Sequence, residues 1–310
     1  MTVPRLVPPG GDPDLPRPTP GGWWRFLQAY RRSRVATWAA LLIGVLLLVA
    51  LLAPWISPQN PYDLAQVDLL DARLPPGSKA SEGRLTYWLG TDAQGRDMVS
   101  AILHGLRISL LVGTSATLLA VAIGIAVGLL AGYAGGRLDS FLMRLADMQL
   151  AFPAILVALI LISVLGQGTG KVIAALVAAQ WAYYARTLRG VVLVERQRDY
   201  MAAARVLALP LRSLLLRHLL PNCMPALIVV GALQVASAIA LEATLSFLGV
   251  GLPITEPSLG LLIANGFTYL LSGKYWISFF PGLALLVTIV AVNLVADQLR
   301  DVLNPRLRSD

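Results

Sequence analysis

The sequence predicts an all-α polytopic membrane protein with six transmembrane helices, and three observations carry that expectation. Hydrophobic residues make up 56% of the chain and charged residues only 14%, with a mean hydropathy of +0.69, a combination that soluble domains of this length seldom reach. Five runs without a charged residue, at 35–53, 108–134, 148–170, 219–241 and 275–296, approach or exceed the roughly 20 residues that cross a bilayer as helix. A sixth run, 172–185, is the weakest. It needs Lys171 and Arg186 to snorkel at its ends, with Trp181, Tyr183 and Tyr184 as interfacial anchors.

Residues 1–34 form a Pro-rich, basic tail without an apolar h-region, so the first span is expected to act as a retained signal anchor and not as a cleaved peptide. After Trp23-Trp24 the tail carries Arg25, Arg31, Arg32 and Arg34 and is expected to lie on the membrane surface. Residues 35–310 form the transmembrane domain. Its first loop, 54–106, is expected outside the cytoplasm, with Pro58, Pro61, Pro75 and Pro76 keeping much of it extended.

The second span carries Ala116, Ala120, Gly124, Gly128 and Gly132 at intervals of four, a face on which another helix can approach closely. Pro153 and Pro281 fall inside the third and sixth spans, where each marks a bend, either a hinge or a fixed kink. A cytoplasmic loop of 186–221 separates the fourth and fifth spans. Placing both termini in the cytoplasm leaves 18 of the 25 Lys and Arg residues inside, as the positive-inside rule favours. The net charge of +8 is then a property of topology. Basic residues dispersed between spans do not point to nucleic acid.

Within the loop, Asp199 is expected to cap a helix from Tyr200 to Leu209. Pro210 stops that helix and opens a second, which Pro221 ends before the next span. Two short helices then meet at a corner with small alanines at its tip. They form either a knob for a groove on another protein or an amphipathic hairpin lying on anionic lipid.

Chemistry is sparse. Gly166-Gln167-Gly168-Thr169-Gly170-Lys171-Val172 looks superficially like a phosphate loop, but Leu165 replaces its first glycine and Val172 supplies no hydroxyl, so a tight turn is expected and no ATP site. Thr91 or Asp92 is expected to cap a short helix, with Arg96 paired to a neighbouring carboxylate. His104 and His218 lack companion ligands, so no metal site is expected. Cys223 is expected to be a buried, inert thiol. Glu242, with Ser246 nearby, is the one acid well inside an apolar run. It faces either a translocation cavity or a helix of a partner. No nucleophile and base come together, so no catalytic site and no cofactor are expected.

The stretch Asp199–Asn222 resembles the EAA loop of ABC-importer permeases: Ala202-Ala203-Ala204 takes the Glu-Ala-Ala triplet, Ala208 the glycine and Leu220-Pro221 the closing pair. Further stretches resemble the C-type inner-membrane subunit of dipeptide and oligopeptide importers. They are Leu89-Gly90-Thr91-Asp92-Ala93-Gln94-Gly95-Arg96-Asp97, Arg144-Leu145-Ala146-Asp147 with Ala151-Phe152-Pro153, Arg217-His218-Leu219-Leu220-Pro221-Asn222, Leu245-Ser246-Phe247-Leu248-Gly249-Val250-Gly251, and the ending Leu299-Arg300-Asp301-Val302-Leu303-Asn304-Pro305-Arg306.

That resemblance implies the type I importer permease fold, six helices with a cytoplasmic coupling helix, in a bacterial inner membrane. It implies a second permease subunit, two cytoplasmic ATP-binding subunits and an extracytoplasmic peptide-binding protein as partners. Contact with the ATPase would fall on Ala202, Ala203, Ala204, Arg205, Ala208 and Pro221, and the translocation pathway would take Glu242 and Ser246. The cargo implied is a dipeptide or oligopeptide; nickel and glutathione importers share the architecture. A self-sufficient secondary carrier, the rival of another class, calls for more intramembrane charges than Glu242 and for an inverted repeat.

Overall fold

The computed structural model describes residues 33–63, 67–81, 83, 85–256 and 258–303; the expectations for the N-terminal tail and for Asn304-Pro305-Arg306 lie outside them. Helix α1 (Arg34–Ile56) starts at Ser33, whose hydroxyl accepts from the Ala36 N–H at 3.2 Å. It presents Trp38, Leu41, Leu48, Leu51 and Trp55 outward, as a lipid-facing helix does. Helix α2 (Met98–Ala134) follows the first loop. Helices α3 (Gly136–Ala151) and α4 (Ala154–Leu165) meet at Phe152-Pro153 with a 91° bend. Then come α5 (Thr169–Glu195), α6 (Asp199–Val206), α7 (Leu211–Phe247), the short α8 (Leu259–Phe267) and α9 (Trp276–Leu303).

Four of these, α1, α2, α7 and α9, are long and apolar enough to span a membrane, and a fifth span results if α3 and α4 count as one. The expected third span is thus not a straight rod. Pro153 has no N–H for the helix ladder and its ring excludes the preceding turn, so the chain turns there by far more than a kink. Pro281, by contrast, sits buried inside an unbroken α9.

Helix α5 is not among the candidate spans, because Lys171, Gln180, Tyr183, Tyr184 and Arg186 dilute its apolar character. Its packing explains how it tolerates them. It lies along α2, its most extensive partner, with Ala175, Ala179, Ala182, Tyr184, Ala185 and Leu188 buried. The small-residue stripe of α2 forms the contact. A Cβ at Gly124 would lie 2.3 Å from the Tyr184 Cβ, one at Gly128 2.5 Å from the Ala185 carbonyl oxygen, and one at Gly132 2.6 Å from Val192 Cγ1. A helix buried against protein on this scale needs little lipid-facing hydrophobicity.

The first loop is shorter than expected, since α1 continues through Pro54 to Ile56 and α2 begins at Met98. It is also folded and not extended. Two short strands, β1 (Ser78–Lys79) and β2 (Thr86–Tyr87), pair antiparallel with Ser78 opposite Tyr87. Asp71, 3% exposed, ties them down. It accepts from the Ser81 N–H at 3.0 Å, the Ser81 hydroxyl and the Tyr87 hydroxyl at 2.9 Å. Burial disfavours its ionised form, but these donors outweigh burial and hold the carboxyl below its ordinary value. Burial, with the Asp71 charge and hydrogen bond, pushes the Tyr87 phenol up.

Two outcomes test this architecture. Gly128→Leu forces the α2 and α5 backbones apart and should cost roughly 1–3 kcal/mol, read as a lower thermal transition in detergent. Gly231→Leu on α7, where a Cβ meets nothing within 4 Å, should stay within about 0.5 kcal/mol. In the loop, a depressed Asp71 pKa stabilises above the unfolded value near 4, and that contribution vanishes as pH falls through the folded value. Hydrogen-exchange protection of the Ala80 amide, bonded to the Leu85 carbonyl at 2.8 Å, should therefore be flat from pH 7 to about 5 and fall at more acid pH. Asp71→Asn should lower protection at neutral pH and abolish the acid step.

Candidate functional site

The loop after α5 is held by hydrogen bonds to the ends of the helices above it. Arg196 Nη1 donates to the Gly132 carbonyl at 2.9 Å, Arg205 donates to the Arg196 carbonyl, and the Tyr200 hydroxyl donates to Glu195 Oε2 at 2.9 Å. Helix α6 is amphipathic over two turns. Met201 and Ala204, three apart, are buried with Leu188 and Val192 of α5 and Leu214, Leu219 and Cys223 of α7. The expected burial of Cys223 is thereby met. Ala202, Ala203, Arg205, Val206, Leu207 and Ala208 are exposed. Val206 and Leu207, 86% and 72% exposed, are large apolar side chains on the outside of a hydrogen-bonded corner.

Several details correct the sequence reading. Asp199 is the first helical residue and not the cap; Arg198 holds the cap position without a side-chain bond, and Asp199 acts through its charge in the first turn. The helix ends at Val206, short of Leu209, because Ala208 takes φ +50°. That is the left-handed region an L-residue enters at a cost. Ala204 points into the core and is not part of the tip. Pro221 does not end a helix: α7 runs unbroken from Leu211, with a π segment at Leu214–Leu219. In that wider turn the Leu220 N–H bonds the Leu215 carbonyl, so the ladder is displaced where Pro221 has no N–H to give.

At the opposite end of the bundle, Glu242 on α7 is fully buried. Ser109 of α2 donates to its Oε2 at 3.0 Å and Ser246 to its Oε1 at 2.7 Å. Ser258, the cap of α8, brings a third hydroxyl near the carboxylate. The chain closes tightly here: a Cβ at Gly260 would lie 2.4 Å from the Ala243 carbonyl and one at Gly113 2.6 Å from Ile239 Cγ1. Glu242 therefore sits in the interior of the subunit, with hydroxyl donors on both oxygens. Ser246 also borders a cavity of about 350 Å³ whose polar wall includes Gln94, Gln167, Asn265 and Tyr269. Ser109 and Ser258 escaped the sequence reading, since they lie 133 and 16 residues from Glu242 and resemble any small helix residue.

The Arg96 expectation holds in its pairing and not in its cap. Arg96 Nε meets Asp92 Oδ2 at 2.6 Å with both side chains buried, while α2 is capped by Asp97, which accepts from the Ser100 N–H at 2.8 Å and its hydroxyl at 2.6 Å. The Thr91 hydroxyl instead bonds the Asp71 carbonyl at 2.6 Å. The Gly166–Gly168 segment is a turn between α4 and α5, with both glycines at positive φ, and Gln167 Nε2 ties it to the Gly249 carbonyl at 2.8 Å.

Residues 124–309 match the family of binding-protein-dependent transport system inner membrane components, and residues 22–76 match the N-terminal TM domain of oligopeptide transport permease C. The chain belongs to this permease family. It is 36% identical over 301 residues to the di/tripeptide transport system permease protein DppC of Pseudomonas aeruginosa, covering 97% of both chains. It is 35% identical to the dipeptide permease DppC of Bacillus subtilis, over 92% of this chain and 85% of that one. A chain of the MetNI methionine ABC transporter in an inward-facing form matches with a TM-score of 0.55 at 16% identity, over 67% of this chain and 98% of that one. The fold is thus that of an ABC importer permease. Membership in the family makes the chain a membrane-embedded subunit working with ATPase and binding-protein subunits.

The permease carries an alanine where the loop's backbone suits glycine. Ala208→Gly should raise stability by about 0.5–1 kcal/mol, the relief of left-handed strain exceeding the extra chain entropy of glycine. Thermal unfolding of the purified subunit measures it.

Proposed function

We propose that this permease passes dipeptides or oligopeptides across a bacterial inner membrane, in a heterodimer with a second permease, driven by two ATP-binding subunits and fed by an extracytoplasmic peptide-binding protein. Similarity over nearly the whole chain to relatives named as peptide permeases supports the cargo. Nickel or glutathione as cargo has no specific support. In this reading α5, with α3 and α4 joined, completes six spans, both termini and 186–221 face the cytoplasm, and 57–97 faces outside. The subunit itself breaks no bond; hydrolysis takes place on its partners.

The observation that carries the coupling assignment is α6. Its buried face ties it to α2, α5 and α7, and its exposed face offers Ala202, Ala203, Val206 and Leu207. Small residues beside two exposed apolar ones suit insertion into a groove of a partner more than a place in water. A displacement of α6 would carry the ends of α2 and α5 with it through Arg196 and Arg205. Glu242 and its three serines would keep the outer ends of α2, α7 and α8 together as those helices move, and Ser246, on the cavity wall, would be the nearest of that group to a passing peptide.

Ala203→Trp should leave membrane insertion intact while abolishing ATPase co-purification and ATP-dependent peptide uptake in reconstituted vesicles. Survival of both, with Arg212 and Arg217 needed to hold the loop on lipid, would replace coupling by the membrane-surface reading.

A further inference from the structure

Two clefts flank the turn between α2 and α3, and arginine lines both. The first, of about 440 Å³, is bounded by Tyr133, Arg196, Gln197 and Arg205. The second, of about 480 Å³, lies on Gly136, Arg137, Ser140, Phe141 and Arg144. Neither wall contains a carboxylate. The acids on α3 and α5 are paired with other arginines, Asp139 with Arg189, Asp147 with Arg186 and Glu195 with Arg198, although Asp139 also lies in the field of Arg196. Among the described residues no carboxylate forms an ion pair with Arg137, Arg144, Arg196 or Arg205. Arg196 and Arg205 each donate to a backbone carbonyl. A guanidinium has more N–H groups than that, so donors remain for an acceptor in the cleft.

In the topology proposed above, the clefts lie at the cytoplasmic surface of the bilayer. The uncharged part of α2 ends with the helix itself, one residue after Tyr133, an aromatic of the interfacial type. An apolar stripe adjoins the second cleft: Leu138, Phe141, Leu145 and Met148 are 45%, 68%, 47% and 59% exposed and recur at helical spacing along α3. Arg137 and Arg144, without a paired acid and beside exposed apolar surface, call for a ligand with both parts.

We propose that the second cleft, through Arg137 and Arg144, holds the phosphate of an anionic phospholipid headgroup, with its acyl chains along Leu138, Phe141 and Leu145. A free phosphate would meet the arginines and leave the stripe uncovered. The lipid is thereby seated against α3, just after the α2–α3 turn.

The test uses the whole transporter in mixed micelles of phosphatidylglycerol and phosphatidylcholine, with retained lipid read by native mass spectrometry. The wild type should keep phosphatidylglycerol in preference, and saturating inorganic phosphate should not displace it. Arg144→Gln should cut the retention ratio roughly fivefold, and Arg144→Lys should keep most of it, which separates lost charge from a damaged fold. Arg186→Gln removes an equal charge outside the clefts and should leave the ratio unchanged. Equal retention of both lipids, displacement by phosphate, or an equal loss in Arg186→Gln would overturn the proposal. So would an Arg144→Gln protein that sheds a partner subunit with an unaltered lipid ratio, since an acidic segment of that partner would then be the occupant.

Discussion

Close contact between α2 and α5 is the constraint on which the rest of the molecule depends. Glycines 124, 128 and 132 leave room for the backbone and Cβ atoms of Tyr184, Ala185, Leu188 and Val192, so two helices meet at a distance that larger residues forbid. In lipid the gain comes from packing and not from the expulsion of water, so every added methylene is felt directly as a clash. This contact also brings the ends of α2 and α5 together. There Arg196 bridges to the Gly132 carbonyl, and α6 is hung from that junction.

At the other end, carboxylates buried among apolar helices are tolerated because each finds donors. A lone carboxylate out of water is expensive. Glu242 has serine hydroxyls on both oxygens, and the Asp92–Arg96 pair has backbone support from the Gln94 and Arg96 N–H groups, each at 2.9 Å. Satisfied networks of this kind restrict the geometries open to the elements they join. Since they link α2, α7 and α8, and link the loop 57–97 to the start of α2, this half of the bundle is braced by hydrogen bonds where the other half is braced by a knob of packed side chains.

The corner between α6 and α7 shows how irregular backbone makes a usable surface. Ala208 reverses the chain in the left-handed region, Pro210 opens α7, and the π segment absorbs the missing donor of Pro221. With the backbone settled in this way, Met201 and Ala204 turn inward while Val206 and Leu207 remain outside. Exposed apolar side chains at this position are consistent with a protein that functions within an assembly.

Apolar runs and charge bias are sums over the chain, which is why the sequence alone determined a helical membrane protein, the approximate position of most long helices, the stripe on α2 and the pairing of Arg96. The motifs around 199–222 likewise located the corner. Where the information lay in distance between remote residues, the tertiary structure decided. It made α5 a helix shielded by protein, folded the proline-rich loop into a hairpin held by Asp71, turned the third apolar run through 91° at Pro153 and carried α7 straight past Pro221. It also surrounded Glu242 with serines from α2, from its own helix and from the cap of α8. A period or a composition records which residues prefer lipid or helix; whether a proline breaks a helix, or a carboxylate meets a hydroxyl 133 residues away, depends on what the rest of the chain places beside it.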